Sequence, residues 1–455
     1  MSTNQTRQEP EVTASGDELT PRPAPARSLL AALLGFSLIT LDASVVNVAL
    51  PAIGSSLGGG MSGLQWVVDA YTLAFAALML STGAFADRAG ASRAYALGIA
   101  VFTLASAACG LAPNLPALIG ARVVQGVSAA VVLPASLALV RQAYGDPAQR
   151  ARAVSLWAAG GSVAVALGPV AGGALTTAWD WRGIFFINLP LGVVALALLL
   201  RAPRSERRPA PLDLPGQLTA VVALTALTFG VIEGGTTGAV AFAVAVAAAA
   251  LFVRIEGRQA HPVVPLGLFR DRAVRVAVAA GSACSVAFYG VVFLFSLFFQ
   301  QLQGRSALYA GLMFLPMSGL IAVTNVAAGK LAGRFGPRLP MLAGQALAAA
   351  GLLGLLCVRP DTPAPLAAVL LIPVALGCAL TVPPLTAVMM DAVPAERAGL
   401  AAGVLNAARQ VAGGLGIAVF GALVNGGFTS GLRVSLTLAA ALFALTFLLS
   451  RRPLD

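Results

Sequence analysis

The chain has 455 residues, of which 58% are hydrophobic and only 10% are charged, and its mean hydropathy is +0.86. Soluble domains carry about 25% charged residues, so this composition excludes an ordinary globular protein and predicts an all-α polytopic membrane protein. A net charge of +11 would suit a nucleic-acid partner, so the distribution of that charge along the chain must decide between the two interpretations.

Residues 1–27 are polar, rich in Pro, Thr and Glu, and lack an apolar core. We interpret them as a disordered cytoplasmic tail and not as a signal peptide. Beyond this tail, apolar runs of about 17–25 residues indicate membrane helices, because about 20 helical residues cross the hydrocarbon core of a bilayer. Fourteen runs are predicted: 28–53, 64–86, 94–112, 115–141, 152–178, 183–201, 213–234, 238–254, 273–300, 307–332, 339–358, 365–390, 398–424 and 432–450.

The basic residues predict the orientation of these helices. With a cytoplasmic N-terminus, 23 of the 29 Arg and Lys residues fall in cytoplasmic tails and loops, and 4 fall outside. The remaining two, Arg122 and Arg409, lie within helices. This bias is the positive-inside pattern, and it explains the net charge without a nucleic-acid partner. Both termini are therefore expected in the cytoplasm.

A short basic motif occurs twice, each time between two predicted helices. The stretch from Gly83 to Arg93 returns from Gly329 to Arg338, and its Gly, Ala and Arg positions match at one offset of 246 residues. Such a repeat indicates two related halves, although short basic turns with Gly also arise by chance. We predict six-helix bundles in 28–201 and 273–455, separated by two inserted helices and a loop in 202–272.

Asp42 and Arg122 are ionisable residues inside predicted helices 1 and 4. A charged side chain there costs about 2.5–3.5 kcal/mol, so each marks a candidate functional site. At 1.5 Å per residue, Asp42 lies roughly 21 Å from the cytoplasmic start of its helix in a core of about 30 Å. Arg122 lies roughly 10 Å from the outer start of its helix. Their similar depth permits an ion pair, with a purely structural Asp42 as the alternative.

Asp69 is a second candidate for proton coupling. It lies five residues into predicted helix 2, roughly 7.5 Å from the outer start of that helix. A carboxyl group at this depth is either a proton site or an interfacial group that water reaches, and the sequence favours neither.

Two stretches suit conformational change. Predicted helix 5 carries Gly160, Ala164, Gly168 and Gly172 at steps of four, with Pro169 beside them. Small residues at this spacing let helix backbones approach closely, and Pro bends the helix, so helix 5 either rocks or makes a static contact. In the first basic turn, an acid–base contact would hold one conformation closed; the gating residues predicted there are Gly83, Asp87, Arg88 and Gly90.

Polar and aromatic residues on several predicted helices are candidates for a substrate cavity. Aromatic rings crowd helix 9 and suit flat, apolar, cationic compounds, although lipid contact or packing also explains them. Arg409 has no evident acid partner in its half of the chain, so backbone carbonyls or a substrate would have to serve. The predicted cavity residues are Asn47, Gln125, Tyr289, Phe293, Asn406 and Arg409.

The sequence contains no Walker loop, nucleophile elbow or His/Cys cluster, and it has one histidine, His261. We therefore predict neither an enzyme nor a cofactor or metal site.

These motifs together resemble the fourteen-helix drug/proton antiporter group of the major facilitator superfamily. Leu41 to Pro51 is similar to the helix 1 motif of that group, and Gly83 to Arg93 resembles the loop 2–3 motif of the superfamily, with Ser92 where a basic residue is common. The other matching stretches are Arg122 to Gly126 on helix 4, Gly160 to Gly173 on helix 5, Trp181 to Pro190 at the start of helix 6, and Gly399 to Gly416 on helix 13.

The resemblance covers nearly all of 28–450 and implies two bundles around a central cavity, with proton-driven export by alternating access. In this scheme Asp42 carries the proton, Arg122 relays the coupling, and helix 5 rocks at Gly168 and Pro169. The implied substrates are lipophilic, often cationic drugs or a toxic metabolite, handled by a monomer in the plasma membrane.

The sequence is also compatible with two other functions. A proton-coupled nutrient symporter would tend to lack the seam at Gly168 and Pro169. A membrane sensor or scaffold that transports nothing would not need Asp42 and Arg122.

Overall fold

The computed structural model describes residues 25–199, 213–259, 262, 264–393 and 398–452. The predicted tail before residue 25 and most of the polar stretch after residue 200 lie outside the described residues, as do His261 and the side chain of Asp87.

All regular secondary structure in the described residues is helical, including a 3-10 turn at Leu266–Arg270 and a π turn at Phe298–Leu302. The α-helices are α1 (Pro25–Leu57), α2 (Gly60–Ala89), α3 (Ala91–Gly110), α4 (Leu115–Ala143), α5 (Pro147–Ala178), α6 (Gly183–Phe186), α7 (Asn188–Leu199), α8 (Leu214–Glu233), α9 (Gly235–Glu256), α10 (Arg272–Leu297), α11 (Ala307–Met313), α12 (Leu315–Phe335), α13 (Arg338–Leu355), α14 (Ala364–Asp391), α15 (Ala398–Asn425) and α16 (Phe428–Arg451).

Polar capping residues fix where α4 and α5 begin. Asn114 accepts a hydrogen bond from the amide of Ala117 at 3.0 Å, and Asp146 accepts one from Gln149 at 2.8 Å. Each cap precedes a Pro in the first turn of its helix. Pro is tolerated at this position because the first N–H groups of a helix have no intrahelical acceptor, so the N–H that Pro lacks is not needed.

Twelve helices within the described residues are long and apolar enough to cross a membrane. Two other segments coincide with the predicted second and sixth spans and are not among the twelve. They are α2 and the 17-residue apolar pair α6–α7, which covers Gly183–Leu199. The protein is thus an all-helical, multi-pass membrane protein.

The helices form two bundles, α1–α7 and α10–α16, with α8 and α9 between them in the chain. Gly90 joins α2 to α3 with a φ of 88°, and Gly336 joins α12 to α13 with a φ of 79°. Positive φ is readily available only to Gly, so the repeated basic motif supplies the same turn residue in both bundles.

The inserted helices α8 and α9 pack against each other, and α8 contacts both α2 of the first bundle and α15 of the second. Near its start, Gln217 accepts a hydrogen bond from Ser81 and donates one to the carbonyl of Ala77. At its end, Glu233 accepts a hydrogen bond from Ser62 at 3.0 Å. These contacts hold α8 along most of the length of α2.

The two bundles meet at the end of the molecule where α1 finishes and α2 begins, which we call the closed end. Here Gln65 Nε2 donates to the carbonyl of Ala418 at 2.6 Å, and Ser296 Oγ donates to the carbonyl of Asn47 at 2.8 Å. Three further hydrogen bonds between the bundles, from Gln65 to Ile417, from Gln300 to Val48 and from Leu308 to Thr177, lie at this end as well. The bundles are therefore held together by hydrogen bonds at the closed end.

The same end is sealed by aromatic packing and by α5. Phe298, Phe299 and Phe314 are buried, with ring centroids 5.5–6.0 Å apart along this series. The amide of Leu308, on α11, donates to Thr177 Oγ1, on α5, at 3.1 Å. Because α5 runs parallel to α1, this contact joins the bundles at the same end.

A disulfide across the closed end tests this arrangement. In a Cys357→Ser background, Thr177→Cys with Leu308→Cys is expected to cross-link on mild oxidation, because the Leu308 amide reaches the Thr177 side chain. The control pair, Leu156→Cys with Leu331→Cys, lies away from that end on exposed parts of α5 and α12 and is expected to stay reduced.

Cross-linking is measured by cutting a protease site inserted at 203–209 and asking whether the two fragments stay together on a non-reducing gel. Equal yields from the two pairs, or a higher yield from the control pair, would contradict the contact between the bundles at the closed end.

Candidate functional site

An ion pair lies inside the first bundle, away from the membrane surfaces. Arg122 Nη1, on α4, is 2.5 Å from Asp42 Oδ2, on α1, and both residues have 0% exposed surface. The side chains thus meet at the common depth that helix geometry predicts for them. Opposite charges in so apolar a setting stabilise each other strongly, because each alone would be an unpaired buried charge.

Side chains from α3, α4 and α7 complete the hydrogen bonding around Asp42. Asn188 Nδ2 donates to Asp42 Oδ1 at 2.8 Å and Gln125 Nε2 reaches the same oxygen at 3.4 Å. Gln125 also accepts from Arg122 at 2.8 Å. Ser106 Oγ lies 2.6 Å from Gln125 Nε2 and 2.9 Å from Asn188 Nδ2. Both carboxylate oxygens of Asp42 thus face hydrogen-bond donors, Arg122 on one and Asn188 with Gln125 on the other.

Arg122 is tied to α2 as well. Its Nε donates to the carbonyl of Val67 at 3.0 Å, and its guanidinium lies 4.3 Å from the centre of the Tyr71 ring. The Tyr71 hydroxyl donates to the carbonyl of Ile39, on α1, at 3.2 Å. The Arg122 guanidinium is therefore held by the Asp42 carboxylate, the Gln125 amide oxygen, the Val67 carbonyl and the Tyr71 ring. Loss of the Asp42 charge would leave the other three contacts in place.

Asp69 is fully buried on α2, and neither of its carboxylate oxygens has a hydrogen-bond partner. It faces α15, where an added Cβ on Gly414 would lie 3.3 Å from Asp69 Oδ1. An unpartnered buried carboxylate is costly when charged. In this conformation Asp69 is not at a water-exposed interface.

A small cavity lies between the bundles, next to the closed end. Its lining combines polar, aromatic and small side chains from α1, α2, α10 and α15. Tyr71 belongs to this lining and also stacks on Arg122, so one ring connects the ion pair to the space between the bundles. The lining residues are Ala43, Val68, Tyr71, Thr72, Tyr289, Gln410, Gly413, Gly414 and Ile417.

The residues predicted to line a substrate cavity occupy several different places. Tyr289 lines the cavity, whereas Gln125 belongs to the Asp42 network inside the first bundle. Phe293 has 0% exposed surface in the apolar core. Asn406 is exposed on α15 and Arg409 is half-buried.

Two of these residues have unsatisfied polar atoms. Asn47 is buried at the bundle contact, and its side-chain oxygen lacks a hydrogen-bond partner. Arg409 Nε is also buried without a partner, and no carboxylate among the described residues pairs with this guanidinium.

The predicted hinge on α5 lies between the two bundles. A side chain at Gly168 would collide with Ser44 on α1, and one at Gly311 on α11 would collide with the carbonyl of Pro169. α5 is thus in close backbone contact with both bundles. Of the predicted gating residues, Gly90 forms the α2–α3 turn, Arg88 is exposed and Gly83 has open space beside it.

Three contributors to the site were not predicted as site residues: Tyr71, Ser106 and Asn188. Asn188 lies in the stretch Trp181 to Pro190, which resembles the start of helix 6 in the antiporter group. A polar Asn at the start of an apolar helix is the sequence feature that could have indicated its role. Tyr71 follows Asp69 by two residues, and a hydroxyl-bearing ring in a membrane helix is too common to indicate a site.

The chain is similar to proteins named for drug resistance. It is 40% identical over 408 residues to the multidrug resistance protein Stp of Mycobacterium tuberculosis, a match that covers 87% of this chain and 75% of that protein. It is 39% identical over 398 residues to the methylenomycin A resistance protein of Streptomyces coelicolor, covering 86% of this chain and 84% of that protein.

The fold is similar to that of a bacterial homologue of the human lysosomal transporter Spinster, solved in an inward-facing and unoccupied conformation. The TM-score is 0.69 at 18% identity, covering 94% of this chain and 97% of that one. The model of the Major Facilitator Superfamily matches residues 32–417. This chain, a transporter and not an enzyme, therefore belongs to the Major Facilitator Superfamily.

Proposed function

We propose that this protein is a proton-driven efflux transporter that exports lipophilic, often cationic drugs or a toxic secondary metabolite. The names of its relatives support drug export. The observation that carries proton coupling is the fully buried pair of Asp42 and Arg122 with its network of donors. Ionisable residues buried in membrane helices are costly and characteristically serve ion or proton pathways.

We further propose fourteen membrane crossings with both termini in the cytoplasm of a plasma-membrane protein, as in the fourteen-helix drug/proton antiporter group. α2 has 30 residues, ample for a span. The α6–α7 pair has 17 apolar residues, or about 25 Å of helix. The 23 to 4 bias of basic residues supports the orientation. The closed end then faces outward, and we assign the described conformation to an inward-facing state on that basis.

In this scheme the proton and Arg122 compete for Asp42. The charged pair belongs to the inward-facing conformation. When the outer side opens, Asp42 binds a proton, its charge is lost and the attraction to Arg122 weakens. Arg122 then keeps its contacts with Val67 and Tyr71 on α2. On return to the inward-facing state, re-formation of the ion pair releases the proton to the cytoplasm.

Asp69 supplies a second proton site at the contact between bundles. It is buried and unpartnered while it faces Gly414, so closure of the outer side favours its neutral form. Opening that contact to water would allow Asp69 to ionise or to meet a cationic substrate. The bundle contact and the charge of Asp69 are thereby linked.

Substrates bind between the bundles, where Tyr289 and Tyr71 present aromatic rings near Asp69. Aromatic faces and a carboxylate together suit lipophilic cations. Asn47, Phe293, Asn406 and Arg409 join this surface as the bundles rock, whereas Gln125 acts through the Asp42 network. We expect α5 to pivot at Gly168 and Pro169, and the turn containing Gly83, Asp87, Arg88 and Gly90 to latch the cytoplasmic side of a single protomer.

Replacing Asp42 by Asn is expected to abolish substrate-triggered proton movement, because the amide cannot carry a proton in exchange. The measurement uses inverted vesicles, a pH-sensitive dye and a panel of lipophilic cations. The matched control is Asp180→Asn, which alters the exposed Asp180–Arg182 pair at 3.5 Å and should retain wild-type proton release. Wild-type release in the Asp42 variant would remove Asp42 from the coupling role.

The Asp69→Asn variant is expected to fold as well as the wild type, because Asn mimics the neutral acid that the site favours. The number of protons exchanged per substrate, obtained from the reversal potential in proteoliposomes, should fall by about one. Asp361→Asn changes an exposed carboxylate and serves as the control. An unchanged stoichiometry in the Asp69 variant would restrict the proton path to Asp42.

Removing Arg122 alone should destabilise the protein by about 3–5 kcal/mol, since it leaves the Asp42 charge buried and unpaired. We expect Arg122→Ala to lower the unfolding temperature of the purified protein. The loss should be smaller at low pH, because a proton then neutralises the isolated carboxylate. The double variant Asp42→Asn with Arg122→Ala should recover part of the loss. Equal destabilisation of the single and double variants at all pH values would contradict a charge-pair origin.

A further inference from the structure

A cleft of about 360 Å³ opens where α8 begins and α9 ends. It is distant in the fold from the Asp42 network. Its lining is two guanidinium groups and a glutamine set against apolar side chains. The lining residues are Pro215, Leu251, Arg254, Ile255, Arg258 and Gln259.

The acidic and basic side chains in this corner point to different sides. Arg254, in the last turn of α9, and Arg258, just beyond the end of α9, both line the cleft, whereas Glu256 is buried. Glu256 is 3% exposed and accepts a hydrogen bond from the amide of Val264 at 3.1 Å. Asp213 caps α8 by accepting from the amide of Gly216 at 2.9 Å. Both carboxylates thus face inward and both arginines face the cleft.

The cleft is held in shape by backbone hydrogen bonds. The amides of Arg258 and Gln259 both donate to the carbonyl of Ile255, at 2.9 and 3.0 Å. The Gln259 side chain donates to Asp213 Oδ1 at 2.9 Å, which joins the end of α9 to the start of α8. Within the described residues, neither Arg254 nor Arg258 forms an ion pair. Two cationic groups are therefore presented on a fixed turn.

Apolar side chains continue from the cleft toward the middle of the membrane. Leu251 lies one turn before Arg254 on α9 and is 49% exposed, and Leu218, on α8, is 64% exposed. A charged rim followed by an apolar slope matches an anionic phospholipid, with its phosphate at the interface and its acyl chain in the hydrocarbon.

We propose that this cleft binds an anionic phospholipid, with the headgroup phosphate on Arg254 and Arg258 and an acyl chain along Leu251 and Leu218. Planar guanidinium groups pair well with phosphate oxygens. The competing explanation is that these arginines only set the orientation and balance the C-terminal dipole of α9. That explanation requires neither a cleft nor any lipid selectivity. The site is separate from the efflux function and stands whether or not that function is correct.

The test measures binding of radiolabelled phosphatidylglycerol to the purified full-length protein in detergent. We expect saturable binding to the wild type that excess phosphatidylcholine does not displace. Arg254→Ala with Arg258→Ala should weaken binding by about 30-fold, as expected for two basic contacts near a membrane surface. The control, Arg141→Ala with Arg452→Ala, removes two exposed arginines outside the cleft and should bind as the wild type does.

Two further measurements separate a lipid from a free phosphate. Leu251→Gln keeps both arginines but removes part of the apolar slope, so it should weaken phosphatidylglycerol binding. Glycerol 1-phosphate should not compete for the cleft. Unfolding temperature and size-exclusion profile establish that each variant is folded. Equal losses in the cleft and control pairs, displacement by phosphatidylcholine, or strong competition by glycerol 1-phosphate would each overturn the proposal.

Discussion

The ion pair between Asp42 and Arg122 is the constraint around which the first bundle is built. A charge buried in an apolar bundle requires a partner at hydrogen-bond distance, and that requirement fixes how α1 faces α4. The remaining oxygen of Asp42 then draws in Asn188 from α7 and Gln125 from α4. Three helices, α1, α4 and α7, are consequently positioned by one pair of charges, and a change in the charge of Asp42 affects all three.

α2 connects this pair to the second bundle. On one face, Val67 and Tyr71 contact Arg122 through a carbonyl and a ring. On the other face, Gln65 bonds to the carbonyl of Ala418 and Asp69 lies against Gly414. The two sets alternate because residues four apart share a face of a helix. A small rotation or shift of α2 would therefore alter the ion pair and the bundle contact together.

The second connection between the bundles is α5, which works through backbone proximity and carries no charge at the contact. Gly168 approaches Ser44 on α1, and the Pro169 carbonyl approaches Gly311 on α11. Close approach of this kind lets helices slide or pivot with few polar bonds to break; the hydrogen bond from the Leu308 amide to Thr177 is one of them. The inserted α8, by contrast, is anchored to α2 by the hydrogen bonds of Gln217 and Glu233. It is expected to move with the first bundle.

The membrane class, most of the helix positions and the prominence of Asp42 and Arg122 could be predicted from the amino-acid pattern. They follow from hydropathy, from the cost of a buried charge and from depth, which increases linearly along a helix. Which side chains meet became evident only from the packed helices. The tertiary structure assigned Gln125 to the ion-pair network, made Phe293 part of the core, recruited Asn188 and Tyr71, and closed the bundles at one end. Such contacts depend on the rotation of each helix about its axis and on its neighbours. Packing fixes both, and a linear pattern does not contain them.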